Sequence, residues 1–186
     1  MRIISGKFRG KKISFTNSTI TRPLRDYVKE NIFNILTHGK KFKLNLENVN
    51  ILDLYSGVGS FGIECLSRNV NKAVFVEKDP LAFSILKKNI SSLKLSDEAK
   101  LFFVDIKDYL EQFSEKYKFD LIFLDPPYNN TSYLDIIKLI KIKKIFNSTH
   151  RIVIHRENKY EDGLEKVIKI NLIKSYGRSK VIFGAF

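Results

Sequence analysis

Asp53-Leu54-Tyr55-Ser56-Gly57-Val58-Gly59-Ser60-Phe61-Gly62-Ile63-Glu64 is the stretch whose reading decides the fold. It closes an apolar run, Val49 to Tyr55, that reads as a buried strand, and it opens an apolar helical pattern from Ser60 to Asn69. Gly57, Gly59 and Gly62 satisfy G-x-G-x-x-G, and an acid, Glu77, lies 20 residues past Gly57 at the end of the next strand. Glycines in such a turn allow close approach of a ligand to the backbone, while the acid on strand two can accept hydrogen bonds from ribose hydroxyls. A dinucleotide or S-adenosylmethionine could use this frame.

Outward from the turn the chain alternates. Lys72 to Glu77 reads as a strand, Pro80 to Leu93 as a helix opened by proline, Ala99 to Val104 as a strand and Ile106 to Glu115 as a helix. Phe119 to Leu124, Ser132 to Ile142 and Arg151 to His155 continue as strand, helix and strand. This order predicts an α/β fold, Rossmann-like, with a mostly parallel sheet and helices on both faces. Val167 to Ile173 and Lys180 to Phe186 break the pattern and predict a closing antiparallel hairpin. Upstream, Ile3 to Phe15 reads as a β-hairpin or twisted ribbon broken by Gly6 and Gly10, and a helix runs from near Arg25 to near Gly39. One domain over 1–186 is expected: a basic hairpin arm at 1–20, a helix and linker at 21–48, and a catalytic core at 49–186.

Electrostatics separates the two cofactors. Asp53, four residues before the first glycine, would repel a pyrophosphate but suits a cation, and S-adenosylmethionine carries an ammonium and a sulfonium and no phosphate. Asp105, at the end of strand three, is placed to accept the adenine amino group. Singly, Asp53 and Asp105 could merely cap helices or turns and Glu77 could be a surface residue. At three consecutive strand ends they form a set.

The strand Phe119 to Leu124 delivers Asp125-Pro126-Pro127-Tyr128 to the same carboxyl edge. Methylating an exocyclic base amine is hard because its lone pair is delocalised into the ring, so the site must draw the nitrogen toward tetrahedral geometry and aim it. The Asp125 carboxylate and the Pro126 carbonyl can each accept one N–H, and the fixed φ angles of the prolines hold that carbonyl outward. Tyr128 offers a face for a base taken out of its stack.

The net charge is +13, with a pI near 9.7, a balance that favours polyanionic partners. Residues 1 to 43 hold eleven Lys or Arg against two acids, Asp26 and Glu30, which is nine of the thirteen charges. Phe8 and Phe15 interleave with Arg9, Lys11 and Lys12, as suits an arm docking on a phosphate backbone. No run approaches the roughly 20 apolar residues of a spanning helix, and the first residues lack the apolar core of a secretory signal, so a cytoplasmic protein without membrane contact is expected. The lone Cys65, on an apolar helix face, reads as a buried structural thiol, and with His38, His150 and His155 far apart no metal site is expected.

The chain resembles the RsmD-type 16S ribosomal RNA guanine-N2 methyltransferases over essentially its whole length. The resemblance is carried by Arg2 to Lys12, Arg22-Pro23, Asp26, Val28, Glu30, Phe33-Asn34, the glycine turn, Glu64, Ser67-Arg68, Glu77, Asn89 and the Asp125 tetrapeptide. It implies a class I methyltransferase fold with a seven-stranded sheet and S-adenosylmethionine as donor, held by Asp53, Gly57, Gly59, Glu77 and Asp105. It implies 16S ribosomal RNA or the assembling small subunit as partner, and a guanine, 966 in the family's usual RNA numbering, as acceptor against Asp125 and Tyr128. Arg9, Lys11, Lys12 and Arg22 are the candidate RNA-binding side chains, and a monomer is expected. Strand five of the family often ends in an acid followed by a basic residue, where this chain has His155-Arg156-Glu157. Three other functions share parts of these motifs: methylation of adenine-N6 or cytosine-N4 in DNA, nicotinamide-dependent oxidation on the same glycine frame, and non-catalytic RNA binding in ribosome assembly.

Overall fold

A computed structural model of the chain describes residues 1–15, 24–40, 42–114, 117–127, 130, 132–158 and 163–186. Its elements in order are α1 (Asp26–His38), β1 (Asn50–Leu54), α2 (Ser60–Ser67), β2 (Lys72–Glu77), α3 (Pro80–Ser92), β3 (Ala99–Phe103), α4 (Ile106–Glu111), β4 (Phe119–Leu124), α5 (Tyr133–Lys143), β5 (Phe146–Glu157), β6 (Lys169–Tyr176) and β7 (Ser179–Ala185). They build one seven-stranded sheet in the order β3-β2-β1-β4-β5-β7-β6. The first five strands in that order are parallel, and β7 runs antiparallel to both β5 and β6. Chain direction across the sheet reverses between β1 and β4, so their carboxyl ends flank the crevice where open α/β sheets take ligands.

The central strands are apolar at nearly every position because both faces of the sheet are covered. Ile51 and Phe123 face a cluster built with α1, α2 and α3, whereas Leu52, Leu54 and Ile122 face one built with α4 and α5. On the first face Phe61 stacks on Phe123 with centroids 3.9 Å apart, and Phe33 of α1 lies 5.2 Å from Phe61. Helix α3 starts where expected, with the Asp79 carboxylate accepting from the Ala82 N–H at 2.7 Å and Pro80 in the first turn.

The amino-terminal hairpin is narrower than the sequence suggests. It has one antiparallel bridge, Arg2 with Lys12, with backbone hydrogen bonds from Ile3, Gly10 and Ile13 across the hairpin, and α2 and Asn89 of α3 add to its support. Buried Glu64 accepts the N–H groups of Ile4 and Ser5 at 2.7 and 2.9 Å. Ser67 accepts the Phe8 N–H on its hydroxyl, and the Lys7 N–H donates to the Ser67 carbonyl at 2.7 Å. Gly6 has φ +81°, and a Cβ there would collide with the Ser67 carbonyl, which is why the arm can lie so close to α2.

Strand β5 begins at Phe146, five residues before the expected Arg151. Phe146 pairs with Phe119, pairing shifts between Phe119 and Leu121, and Arg151 to Ile154 then continue the ladder. The polar Asn147-Ser148-Thr149 at that irregularity hides the extension from a hydrophobicity pattern.

Candidate active site

Strands β1, β2, β3 and β4 place four acids at their carboxyl ends. Asp53, on β1, is fully buried. Its Oδ2 accepts the Gly62 N–H at 2.9 Å, while Oδ1 has no hydrogen-bond partner among the described residues. A Cβ on Gly62 would fall inside the Phe75 ring and close on the Asp53 carboxylate, so glycine is what lets the α2 backbone come within bonding distance. Burial pushes the Asp53 carboxyl well above the usual aspartate range; the Gly62 hydrogen bond opposes this, and the charges of Asp125 and Glu77 reinforce it.

Glu77 anchors the turn. One oxygen accepts the Gly57 N–H at 2.7 Å and the other accepts the N–H groups of Lys78 and Asp79, both at 2.8 Å. The turn is further closed by Gly59 N–H to the Ser56 carbonyl at 2.8 Å and Ser56 N–H to the Val76 carbonyl at 3.2 Å. Gly57 and Gly59 have φ +55° and +87°. A Cβ at Gly59 would also strike Leu86 of α3, whereas one at Gly57 would meet nothing, so Gly59 serves packing and Gly57 an open face.

Asp105 has a structural task as well. It caps α4 by accepting from the Lys107 N–H at 2.9 Å and pairs with Lys78 at 3.0 Å. Its partial burial would raise the carboxyl, but these partners outweigh it and hold the group below the usual range. Asp105 is the most exposed of the four, with 44% of its side chain open to solvent.

Asp125 follows β4, its N–H directed at the Leu54 carbonyl at 3.4 Å, so the first residue of the tetrapeptide is fastened to the strand that carries Asp53. Asp125 Oδ1 lies 2.8 Å from Nδ1 of His155 on β5. The Pro127 carbonyl accepts from Arg156 Nη1 at 3.0 Å and from the Asn130 N–H at 2.9 Å, while no described residue donates to the Pro126 carbonyl. Tyr55, just past β1 at φ +58°, has its hydroxyl pushed up to about 12 by burial, against a hydrogen bond with the Asn130 side chain. Tyr128 and Arg22 lie outside the described residues.

Arg9, Lys11 and Lys12 are exposed at the arm's tip, and the Lys7 and Lys11 ammonium groups stand 5.3 and 5.0 Å from the Phe8 ring centroid. Cys65 is fully buried and its thiol is pushed well up by that burial, as expected of a structural cysteine. Among the described residues no helix is long and apolar enough to cross a membrane.

Four residues joined to the site were not singled out as site residues from the sequence: Tyr55, Asn89, His155 and Arg156. Asn89 Nδ2 donates to the Val58 carbonyl inside the glycine turn at 3.0 Å. Among these, only an unexpected polar residue at a strand end, His155, carried a local signal.

The arrangement joins a buried carboxylate cluster, fit for a cationic ligand, to a loop presenting hydrogen-bond acceptors. The family described as "Conserved hypothetical protein 95" matches residues 1–185. A relative from Haemophilus influenzae named "Ribosomal RNA small subunit methyltransferase D" is 39% identical over 130 residues, 69% of this chain and 64% of that protein. The Bacillus subtilis "Putative rRNA methyltransferase YlbH" is 33% identical over 162 residues, 87% of this chain and 85% of that protein. Among solved structures, a putative methyltransferase of Escherichia coli superposes with TM-score 0.84 at 26% identity, covering 100% of this chain and 97% of that one. A putative methylase of Haemophilus influenzae does so with TM-score 0.79 at 28% identity, covering 99% and 97%.

Proposed function

Because the chain belongs to the family described as Conserved hypothetical protein 95, that of the RsmD-type methyltransferases, we propose that it methylates the exocyclic N2 amine of a guanine in 16S ribosomal RNA. S-adenosylmethionine is the cofactor, and the residues fit it: the unpartnered Oδ1 of buried Asp53 and the neighbouring charges of Glu77 and Asp125 form an anionic pocket in a strongly cationic protein. When bound, the cofactor supplies an electrophilic methyl group on sulfur for direct displacement.

The residues of the chain bind and orient. Asp53 takes the cationic end, Gly57 leaves the turn open, and Glu77 and Asp105 offer acceptors to ribose and adenine. Asp125 and the Pro126 carbonyl accept the two amine hydrogens, which directs the nitrogen lone pair out of the ring plane toward the methyl. Tyr128 stacks on the base, and Arg9, Lys11, Lys12 and Arg22 hold the RNA backbone.

The observation that supports this reading best is the hydrogen bond from the Asp125 N–H to the Leu54 carbonyl, which holds Asp125 beside the strand that bears Asp53. The test is incubation of the purified protein with S-adenosylmethionine and 16S ribosomal RNA from a strain lacking its gene, followed by nucleoside mass spectrometry. N2-methylguanosine is expected. Methylated adenine or cytosine instead, or no methylated nucleoside at all, would overturn the assignment.

A further inference from the structure

Strand β5 grips the tetrapeptide loop with two consecutive side chains. Neighbours on a strand point to opposite faces of the sheet, yet both reach the loop at its end: His155 meets the Asp125 carboxylate at 2.8 Å, and Arg156 donates to the Pro127 carbonyl at 3.0 Å. Both residues are buried, and the Arg156 guanidinium lies 4.3 Å from the Tyr133 ring centroid, so neither is a loosely held surface group.

An ionised carboxylate can only accept, so the hydrogen between His155 and Asp125 belongs to Nδ1. With Oδ1 so engaged, Oδ2 is the oxygen left for a ligand. Rotation about the last bond of an aspartate is otherwise broad. We propose that His155 is a positioning residue for methyl transfer: by holding Oδ1 it fixes the plane of the Asp125 carboxylate, so that Oδ2 and the Pro126 carbonyl face the acceptor amine together. This rests on the assignment of Asp125 as the amine's acceptor. His155 does not touch the amine and does not serve as its base through Nδ1, because that nitrogen already carries a hydrogen directed at Asp125. Its raised pKa agrees with the pairing: burial works against the imidazolium, and the Asp125 charge and hydrogen bond more than offset it.

The test compares three replacements in the full-length protein, with S-adenosylmethionine and 16S ribosomal RNA as substrates. In His155→Asn the side-chain amide stands where Nδ1 stands, in His155→Gln it stands farther out, near Nε2, and in His155→Ala it is gone. A misplacement of about 1 Å costs as much as 100-fold in rate. His155→Ala and His155→Gln are therefore expected to lose on the order of 10- to 100-fold in kcat, with S-adenosylhomocysteine affinity unchanged, and His155→Asn to recover most of the loss. Equal rates for the Asn and Gln variants, or a drop in cofactor affinity matching the drop in kcat, would overturn the proposal. Asp125→Ala separates the two levels. If it is inactive while His155→Ala keeps the parent rate, only the role of His155 falls; if it is active, the assignment of Asp125 falls.

Discussion

Asn89 and Ser14 hold each other twice: the Ser14 N–H donates to Asn89 Oδ1 at 2.9 Å, and Asn89 Nδ2 donates to the Ser14 carbonyl at 3.0 Å. A side-chain amide here imitates a strand neighbour for the end of the basic arm. The same Nδ2 also donates to the Val58 carbonyl, so one buried group touches both the arm and the glycine turn. Asn89→Ala leaves these groups without that partner and is expected to cost about 1–3 kcal/mol of stability. Its sharper sign is a simultaneous rise in amide exchange at Ser14 and in the turn at residues 57–59. Exchange that rises at only one of the two would show that Asn89 does not join them.

If Asp53 takes the cofactor's cationic end, cofactor binding is expected to release a proton. Burial holds its carboxyl protonated above the usual aspartate range, and a bound cation favours the ionised form. Affinity for S-adenosylmethionine is therefore expected to rise with pH through the interval above 3.8 in which Asp53 loses its proton. The sign for folding is the reverse: a carboxyl whose folded pKa is raised contributes stability below its unfolded pKa and loses it as pH climbs through the folded one. Asp53→Asn should flatten the pH dependence of binding, weaken affinity and stabilise the unliganded protein at neutral pH. Calorimetry in buffers of different ionisation enthalpy reads the proton directly, and equal proton release by the parent and the Asn variant would exclude Asp53 as its source.

Lys29 and Glu64 form an ion pair at 3.7 Å with neither side chain exposed, and Glu64 also accepts from Arg68 at 2.9 Å. Desolvation lowers the Lys29 pKa in spite of that partner. Glu64→Ala strands a buried ammonium and leaves the Ile4 and Ser5 N–H groups without their acceptor, and is expected to lose about 3–5 kcal/mol. The double replacement Lys29→Met, Glu64→Ala should recover part of that loss. Denaturant unfolding of the two variants checks this, and a double variant less stable than Glu64→Ala alone would contradict it.

The exposed tip of the arm sets the salt dependence of RNA binding if Arg9, Lys11 and Lys12 meet phosphates. Each phosphate left without its cation takes roughly 0.7–0.9 off the slope of log affinity against log salt. Replacing all three by Gln should lower the slope by about two to three in a filter-binding series. An unchanged slope would place the RNA elsewhere on the protein.

The carboxyl-edge acids were legible because each sits at a strand end, and strand ends can be read from where an apolar run stops. Asp53, Glu77, Asp105 and Asp125 fall into that class, as does the glycine turn between β1 and α2. Pairings such as Asp125 with His155, 30 positions apart, or Ser14 with Asn89, 75 apart, leave no local pattern. The arm's hairpin was legible as a reversal at Gly6 and Gly10, but its mooring was not, since acceptors on α2, far away in sequence, take the N–H groups of Ile4, Ser5 and Phe8. Asp105 shows both uses of an acid at once, capping α4 while standing at the site.

Helix α2 carries the glycine turn at its first residue, and Glu64 and Ser67, which hold the arm, one and two turns further on. Eight residues make a rod of about 12 Å in which each added residue turns the far end by about 100°. Insertions and deletions thus act at different ranges: a residue gained or lost at Arg9-Gly10 disturbs the hairpin's own closure, whereas one residue added between Ser60 and Ser67 would swing the arm's mooring to another side of the molecule.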